Sequence, residues 1–122
     1  MAYGDAEVIY HGESYTVQRS FAHTTASGVA SLVASATGKI RVLQYLINAG
    51  SSNTFTWMEG ATGAASGIEP PIYIGSNGVV AEDAPHRGFV FETGRGEGLR
   101  YATSSTGFTA VRATWCRIGS TT

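Results

Sequence analysis

The sequence predicts an all-β fold, a sandwich or barrel of seven to nine short strands. Polar and apolar residues alternate over 39–42, which is typical of a strand with one buried face. Similar short segments recur along the chain between turn-forming residues, at the spacing of an antiparallel β protein. Only 14% of the 122 residues are charged and 16 are glycine, which suits tight turns and a large contact surface.

One stretch near the middle, residues 38–47, is the strongest strand candidate, and we expect the fold to be organised around it. Polar and apolar residues alternate over its first half, whereas 43–47 are almost all apolar. This change predicts a strand that runs from a wet rim into a region covered on both faces. The spacing of Ile40, Leu43 and Ile47 also fits a helix, but the β-branched residues and flanking turn residues favour the strand.

Residues 1–13 contain a short apolar segment, Val8–Tyr10, between small and acidic residues. This segment is either the first strand or an extended arm that docks on a partner, and the sequence does not separate the two. Residues 15–21 follow as a half-buried strand, in which Val17 and Phe21 share one face.

The next two segments differ in how clearly they are patterned. Residues 28–37 have apolar residues at helical spacing, but glycines bracket a short, Ser-rich stretch, so we favour a strand over 31–35. Residues 54–59 alternate clearly and predict a strand with Phe55 and Trp57 on one face.

A loose segment, residues 60–78, is rich in Gly, Ala and Ser, and loops of this length are usually functional or contact surfaces. Pro70–Pro71 forces an extended backbone that cannot donate to a central ladder. Ile72 and Ile74 therefore predict a short edge strand, and Asn77–Gly78 is a strong turn signal after it.

Three strands, over 88–92, 99–102 and 108–118, are predicted to close the chain. Phe89 and Phe91 are expected to point inward in the first of them. A tight structural turn between the first and the second contains three alternate glycines, Gly94, Gly96 and Gly98. We expect at least one of the last two to have a positive φ.

The charge and the cysteine content limit the classes of partner. A net charge of −1 gives no basic stripe for nucleic acid, and no apolar run approaches the roughly 20 residues that span a membrane. The start lacks the features of a signal peptide, and Cys116 has no partner for an intrachain disulfide. We expect a soluble protein, made inside a cell, with no nucleic-acid or membrane partner and with a tendency to oligomerise.

No residue pattern predicts a catalytic centre, a metal site or a cofactor, so we do not expect an enzyme. The histidines lack the spacing of metal ligands; they are His11, His23 and His86. The alternate glycines lack the helix and lysine of a phosphate-binding loop. The loop carboxylates do not single out a pair for glycoside hydrolysis; they are Glu69, Glu82, Asp83, Glu92 and Glu97.

Three aromatic residues are candidates for a sugar-binding platform: Trp57, Tyr73 and Tyr101. Aromatic residues at strand positions are more often part of a core. The buried interpretation is therefore the simpler one for all three residues.

The segment Gly88–Tyr101 reads Gly-Phe-Val-Phe-Glu-Thr-Gly-x-Gly-Glu-Gly-Leu-x-Tyr. Together with Gly38–Leu43 and Asn77–Val80, it resembles small tailed-phage virion proteins of the capsid decoration, or cement, type. The resemblance covers about residues 28–118. The chain departs from the pattern at Gly98, where alanine is common, in the Pro70–Pro71 loop and in the N-terminal segment. It implies that residues 1–122 form a single antiparallel, jelly-roll-like β-sandwich. The alternative roles of residues 1–13, a docking arm or a first strand, come from their own sequence and not from the resemblance.

The resemblance also implies a structural role. The expected function is to bind the outer surface of the assembled phage head, with the major capsid protein as partner, as a homotrimer. The protein is then expected in the virion after synthesis in the host cytoplasm. The expected capsid contacts are in the N-terminal segment, at Tyr3, Val8, Ile9 and Tyr10. A tail or fibre subunit and a carbohydrate-binding module are the alternatives.

Overall fold

The computed structural model describes residues 7–10, 13–60, 65–84 and 88–119, and these residues form twelve β-strands and no helix. The strands are β1 (Glu7–Tyr10), β2 (Glu13–Thr16), β3 (Gln18–Thr24), β4 (Gly28–Val33), β5 (Lys39–Ala49), β6 (Asn53–Glu59), β7 (Ser66–Gly67), β8 (Ile72–Ile74), β9 (Gly78–Asp83), β10 (Phe91–Glu92), β11 (Leu99–Thr103) and β12 (Thr109–Ile118). Ten of them build two five-stranded sheets, slightly more than the seven to nine predicted, and β1 pairs with β2 in a separate sheet.

The two large sheets have jelly-roll topology. Sheet I has the order β3-β12-β5, with β9 and β10 both paired to the remaining edge of β5. Sheet II has the order β4-β11-β6, with β7 and β8 both paired to the remaining edge of β6. The chain passes between the sheets, and all the strand pairs are antiparallel. The predicted all-β, jelly-roll-like sandwich is therefore confirmed.

An aromatic cluster fills the space between the sheets. Phe55 stacks on Tyr101 with 5.4 Å between ring centroids, and Trp57 meets Tyr45 edge-on at 5.3 Å. Trp57 is 0% exposed and Trp115 is 6% exposed, as their alternating patterns predict. The inner faces of both sheets thus bury large rings together with aliphatic side chains.

The central strand β5 confirms that 38–47 is a strand. The change from alternating to almost continuous apolar residues at Leu43 has a different cause from the predicted one. Between Thr114 and Trp115 of β12, the register to β5 shifts from Gln44 to Val42. Leu43 is therefore an extra residue, a β-bulge, and inward-facing positions move from even to odd numbers after it. Tyr45 and Ile47 are buried, whereas Leu46 lies half-buried on the outer face.

Two other sequence expectations are corrected in detail. The ambiguous segment 28–37 forms strand β4, which begins at Gly28 and ends at Val33, earlier than the predicted 31–35. Strand β10 begins only at Phe91, which is buried. The chain bends at Val90, so Phe89 does not point inward but lies under the Arg41 guanidinium, with 4.5 Å from Cζ to the ring centroid.

None of the secondary structure described is a helix long and apolar enough to cross a membrane.

Candidate functional site

The outer face of sheet I carries an apolar strip that crosses its four-strand width. One row of paired positions consists of Phe21, Arg112, Leu46 and Ala81. The neighbouring row consists of His23, Ala110, Asn48 and Val79. Paired residues on one face of a sheet lie about 5 Å apart, so each row forms a continuous surface.

Several large side chains in or next to this strip are open to solvent. Phe21 is 79% exposed, Val79 is 57% exposed and Phe108, just before β12, is 47% exposed. The rings of His23 and Phe108 stack with centroids 5.7 Å apart. We refer to Phe21, His23 and Phe108, at the β3 edge, as the Phe21 patch.

One cation lies within the apolar strip. Arg112 is half-buried between Phe21 and Leu46 in the row. In the part of the chain that the structure describes, the salt bridges are those of Glu92, so Arg112 has no carboxylate partner there. The two rows therefore combine apolar side chains with His23, Asn48 and one arginine. This composition favours a partner surface of complementary shape with an acidic group.

The prediction that Val17 and Phe21 share one face of the strand is corrected, because Val17 is buried and Phe21 is exposed. Small residues, Ser20 and Ala22, point inward at this edge, and the Trp115 indole nitrogen donates to the Ser20 hydroxyl at 3.0 Å. Ser20 and Ala22 pair with the buried Ala113 and Val111 of β12. This register places Phe21 on the outer face, opposite Arg112. The outcome depends on a strand that is distant in the sequence, and local alternation does not reveal it.

The predicted N-terminal contacts are only partly within the described residues. Tyr3 lies outside them. Val8, Ile9 and Tyr10 belong to β1, whose partners are residues of β2. Strand β2 leads through the buried Val17 into β3, so the β1–β2 hairpin precedes the strand that carries Phe21.

The glycine-containing segment between β10 and β11 includes a turn at residues 95–96. Gly96 has a φ of 83°, which confirms the expected positive φ, and its N–H donates to the Gly38 carbonyl at 2.7 Å. A Cβ on Gly98 would come within 2.6 Å of the Val33 carbonyl oxygen. Gly94 donates its N–H to a Glu59 carboxylate oxygen at 2.6 Å. The turn thus fastens sheet I to sheet II.

Two of the candidate carboxylates lie near one another at the edge between the sheets. The Tyr45 hydroxyl donates to Glu82 at 2.9 Å. Burial, followed by the charge of Glu82, raises the pKa of Glu69. Burial also raises the pKa of Tyr45, reinforced by the hydrogen bond and charge of Glu82. Glu92 instead forms ion pairs with Lys39 and Arg41, at 3.2 Å and 2.8 Å.

The residues that the sequence offers for a metal site or a three-ring aromatic platform form neither one in the described structure. Within the described ranges, no three His, Cys, Asp or Glu side chains are grouped closely enough to hold a metal ion. His11 and His86 lie outside those ranges. Of the three aromatic candidates, Trp57 and Tyr101 are core residues, whereas Tyr73 is 85% exposed.

Comparisons with known proteins add only distant likenesses. No protein-family model matches the chain, and no curated protein matches it by sequence. Among solved structures, the chain is similar to the capsular polysaccharide assembling protein CapF of Staphylococcus aureus, with 9% identity over 92% of this chain and 30% of that one and a TM-score of 0.38.

Two further structures are similar to a comparable degree. A chain of infectious bursal disease virus, Gx strain, has 8% identity over 86% of this chain and 33% of its own length, with a TM-score of 0.41. The hydroxypropylphosphonic acid epoxidase of S. wedmorenis has 10% identity over 93% and 57%, with a TM-score of 0.33. The chain thus spans about a third to just over half of these proteins, and scores this low support no functional argument.

Proposed function

We propose that this protein is a phage capsid decoration (cement) protein that binds the outer surface of the assembled head, through contact with the major capsid protein, and stabilises it without catalysis. The observation that carries the proposal is the exposed Phe21 patch with Arg112 beside it. An aromatic patch around one cation is the composition of an interface core, where aromatic residues and arginine are enriched. Its burial on docking removes apolar surface from water.

The N-terminal residues extend the proposed contact. Tyr3, Val8, Ile9 and Tyr10 stay the predicted anchors, and the β1–β2 hairpin leads directly into β3, the strand of Phe21. A protein that binds only the assembled head stabilises that state by mass action, and many copies add together. The low charge of the chain and the resemblance to decoration proteins support a homotrimer as the binding form.

Co-sedimentation with emptied heads of the phage that encodes the protein tests the capsid contact. The Phe21→Ala variant is expected to bind at least about tenfold more weakly, as for an aromatic anchor at an interface. Tyr73→Ala is the matched control, because it removes an aromatic ring of similar exposure from the other sheet. Wild-type binding by Phe21→Ala, or no binding by the parent chain, would contradict the proposal.

The homotrimer is tested separately. Light scattering at micromolar concentration is expected to give three times the mass of the chain. A monomer at that concentration would remove the trimer from the proposal but leave the capsid contact to be judged by sedimentation.

A further inference from the structure

We infer that a groove beside Tyr73, on the outer face of sheet II, is a binding site for a neutral oligosaccharide. The groove has a volume of about 350 Å³ and is lined by Ser52, Asn53, Thr54, Tyr73, Ile74, Gly75 and Ser104. This volume is near the lower end of the roughly 300–1,000 Å³ of small-molecule sites. The site is on the opposite sheet from the proposed capsid contact and does not depend on that proposal.

Tyr73 supplies an open aromatic face at the side of the groove. It lies on β8 opposite Thr54 of β6, and its neighbour Ile74 packs into the core. A single exposed ring is common on protein surfaces. Here, however, the ring stands on a paired strand next to a concave surface, so the backbone that carries it is ordered before any ligand arrives.

Hydrogen bonds fix the polar floor of the groove. The buried Asn53 accepts from the Ser104 N–H at 3.0 Å and donates to the Thr109 hydroxyl at 2.7 Å. The Thr54 N–H donates to the Ser104 hydroxyl at 2.9 Å. The start of β6 and the end of β11 are therefore tied together, and the site needs little reordering to bind.

The chemistry of the lining selects the class of ligand. Serine and threonine hydroxyls both donate and accept hydrogen bonds, which matches the hydroxyl groups of a sugar. The tyrosine ring can stack on the apolar C–H face of a pyranose. Of the described residues that line the groove, none is charged, so a phosphate or a carboxylate on the ligand would lose water without gaining a cation. A neutral pyranose satisfies all three conditions.

Nuclear magnetic resonance titration of the ¹⁵N-labelled full chain tests the inference. The probes are the neutral disaccharides maltose, cellobiose and lactose, with sialyllactose as an anionic comparison. At least one neutral disaccharide is expected to shift the amide signals of Thr54, Gly75 and Ser104, with a millimolar Kd. Tyr73→Ala is expected to weaken that binding about tenfold or more, whereas Tyr73→Phe retains it to within about threefold because the ring face is kept.

Phe21→Ala is the matched control, because it removes an exposed ring of similar exposure from sheet I. It is expected to bind sugar as the parent chain does, even where capsid binding is lost. The inference is overturned if no neutral disaccharide shifts the groove amides at tens of millimolar, if only sialyllactose binds, or if Tyr73→Ala binds unchanged. Since the Tyr73 side chain is 85% exposed, its removal is not expected to unfold the protein.

Discussion

Trp57 and Tyr73 show how far a single residue can be interpreted from its neighbours. Both are aromatic, both lie on short alternating segments, and both were candidates for a sugar platform. Trp57 is 0% exposed and Tyr73 is 85% exposed. Trp57 points toward sheet I, and Tyr73 points away from it. The alternation reveals which residues share a face, but only the partner sheet determines which face is covered.

The buried Trp57 gives a stability prediction at the same scale. Trp57→Ala is expected to lower the free energy of unfolding by about 3–5 kcal/mol, from lost transfer energy and a cavity. Among the described residues, the Trp57 indole nitrogen has no hydrogen-bond partner, so Trp57→Phe removes a buried donor and should cost only about 1 kcal/mol. Urea unfolding measures both. A loss below about 1 kcal/mol for Trp57→Ala would contradict the burial.

At the scale of elements, the strands with strong alternation were predictable and the exceptions came from contacts distant in sequence. The first half of β5 and all of β6 follow their patterns. Leu43 breaks the pattern because β12 pairs across a bulge. Phe21 is exposed because the register of β3 against β12 places it opposite Arg112 on the outer face. Neither partner lies within the local window that a sequence pattern covers, so neither the bulge nor the Phe21 patch could be predicted.

The glycine turn before β11 is expected to be intolerant of side chains. Gly98→Ala would place a Cβ within 2.6 Å of the Val33 carbonyl oxygen, a backbone atom that cannot move aside. We expect it to cost about 1–3 kcal/mol, the usual effect of overpacking. Gly96→Ala should cost about 1 kcal/mol because of its positive φ.

Gly75→Ala is the matched control for the turn, because a Cβ there meets no atom within 4 Å. Thermal melting compares the three variants. If Gly98→Ala and Gly96→Ala both have the same melting temperature as Gly75→Ala and the parent chain, the assigned role of the turn is wrong.

The two-residue strand β10 depends on Glu92 for part of its attachment to β5. Burial raises the pKa of Glu92, but the hydrogen bonds and charges of Arg41 and Lys39 outweigh it, so the net pKa is lowered. A carboxyl group whose pKa is lower in the folded state than in the unfolded state stabilises the fold. For glutamate this stabilisation is fully present at pH values above the unfolded-state pKa of about 4.3. It is lost as the pH falls through the folded-state pKa.

Glu92→Gln is therefore expected to cost about 1 kcal/mol at pH 7, since the pair is partly exposed to solvent. The variant should also lose less stability than the parent between pH 5 and pH 2. Urea unfolding across this range measures the effect, with Glu97→Gln as the control in the adjoining turn. Parallel pH profiles for Glu92→Gln and the parent would show that the ion pair contributes nothing.

At the scale of the whole molecule, the sandwich and the N-terminal hairpin are separate pairing units. Strand β1 pairs only with β2 among the described strands, and neither belongs to sheet I or sheet II. The jelly-roll order of the ten remaining strands is complete without them. This separation bears directly on whether residues 1–13 act as an arm or as part of the core.

Deletion of residues 1–12 removes β1 but leaves every strand pair of the two large sheets in place. We expect the truncated chain to keep its β-type circular dichroism spectrum and to lose at most about 1–2 kcal/mol of stability, because no core residue of the sandwich is removed. We also expect it to lose affinity for emptied heads, because Tyr3, Val8, Ile9 and Tyr10 are the predicted anchors. A truncated chain that misfolds would assign this segment to the core, and one that folds and still binds would exclude these four residues as the contact.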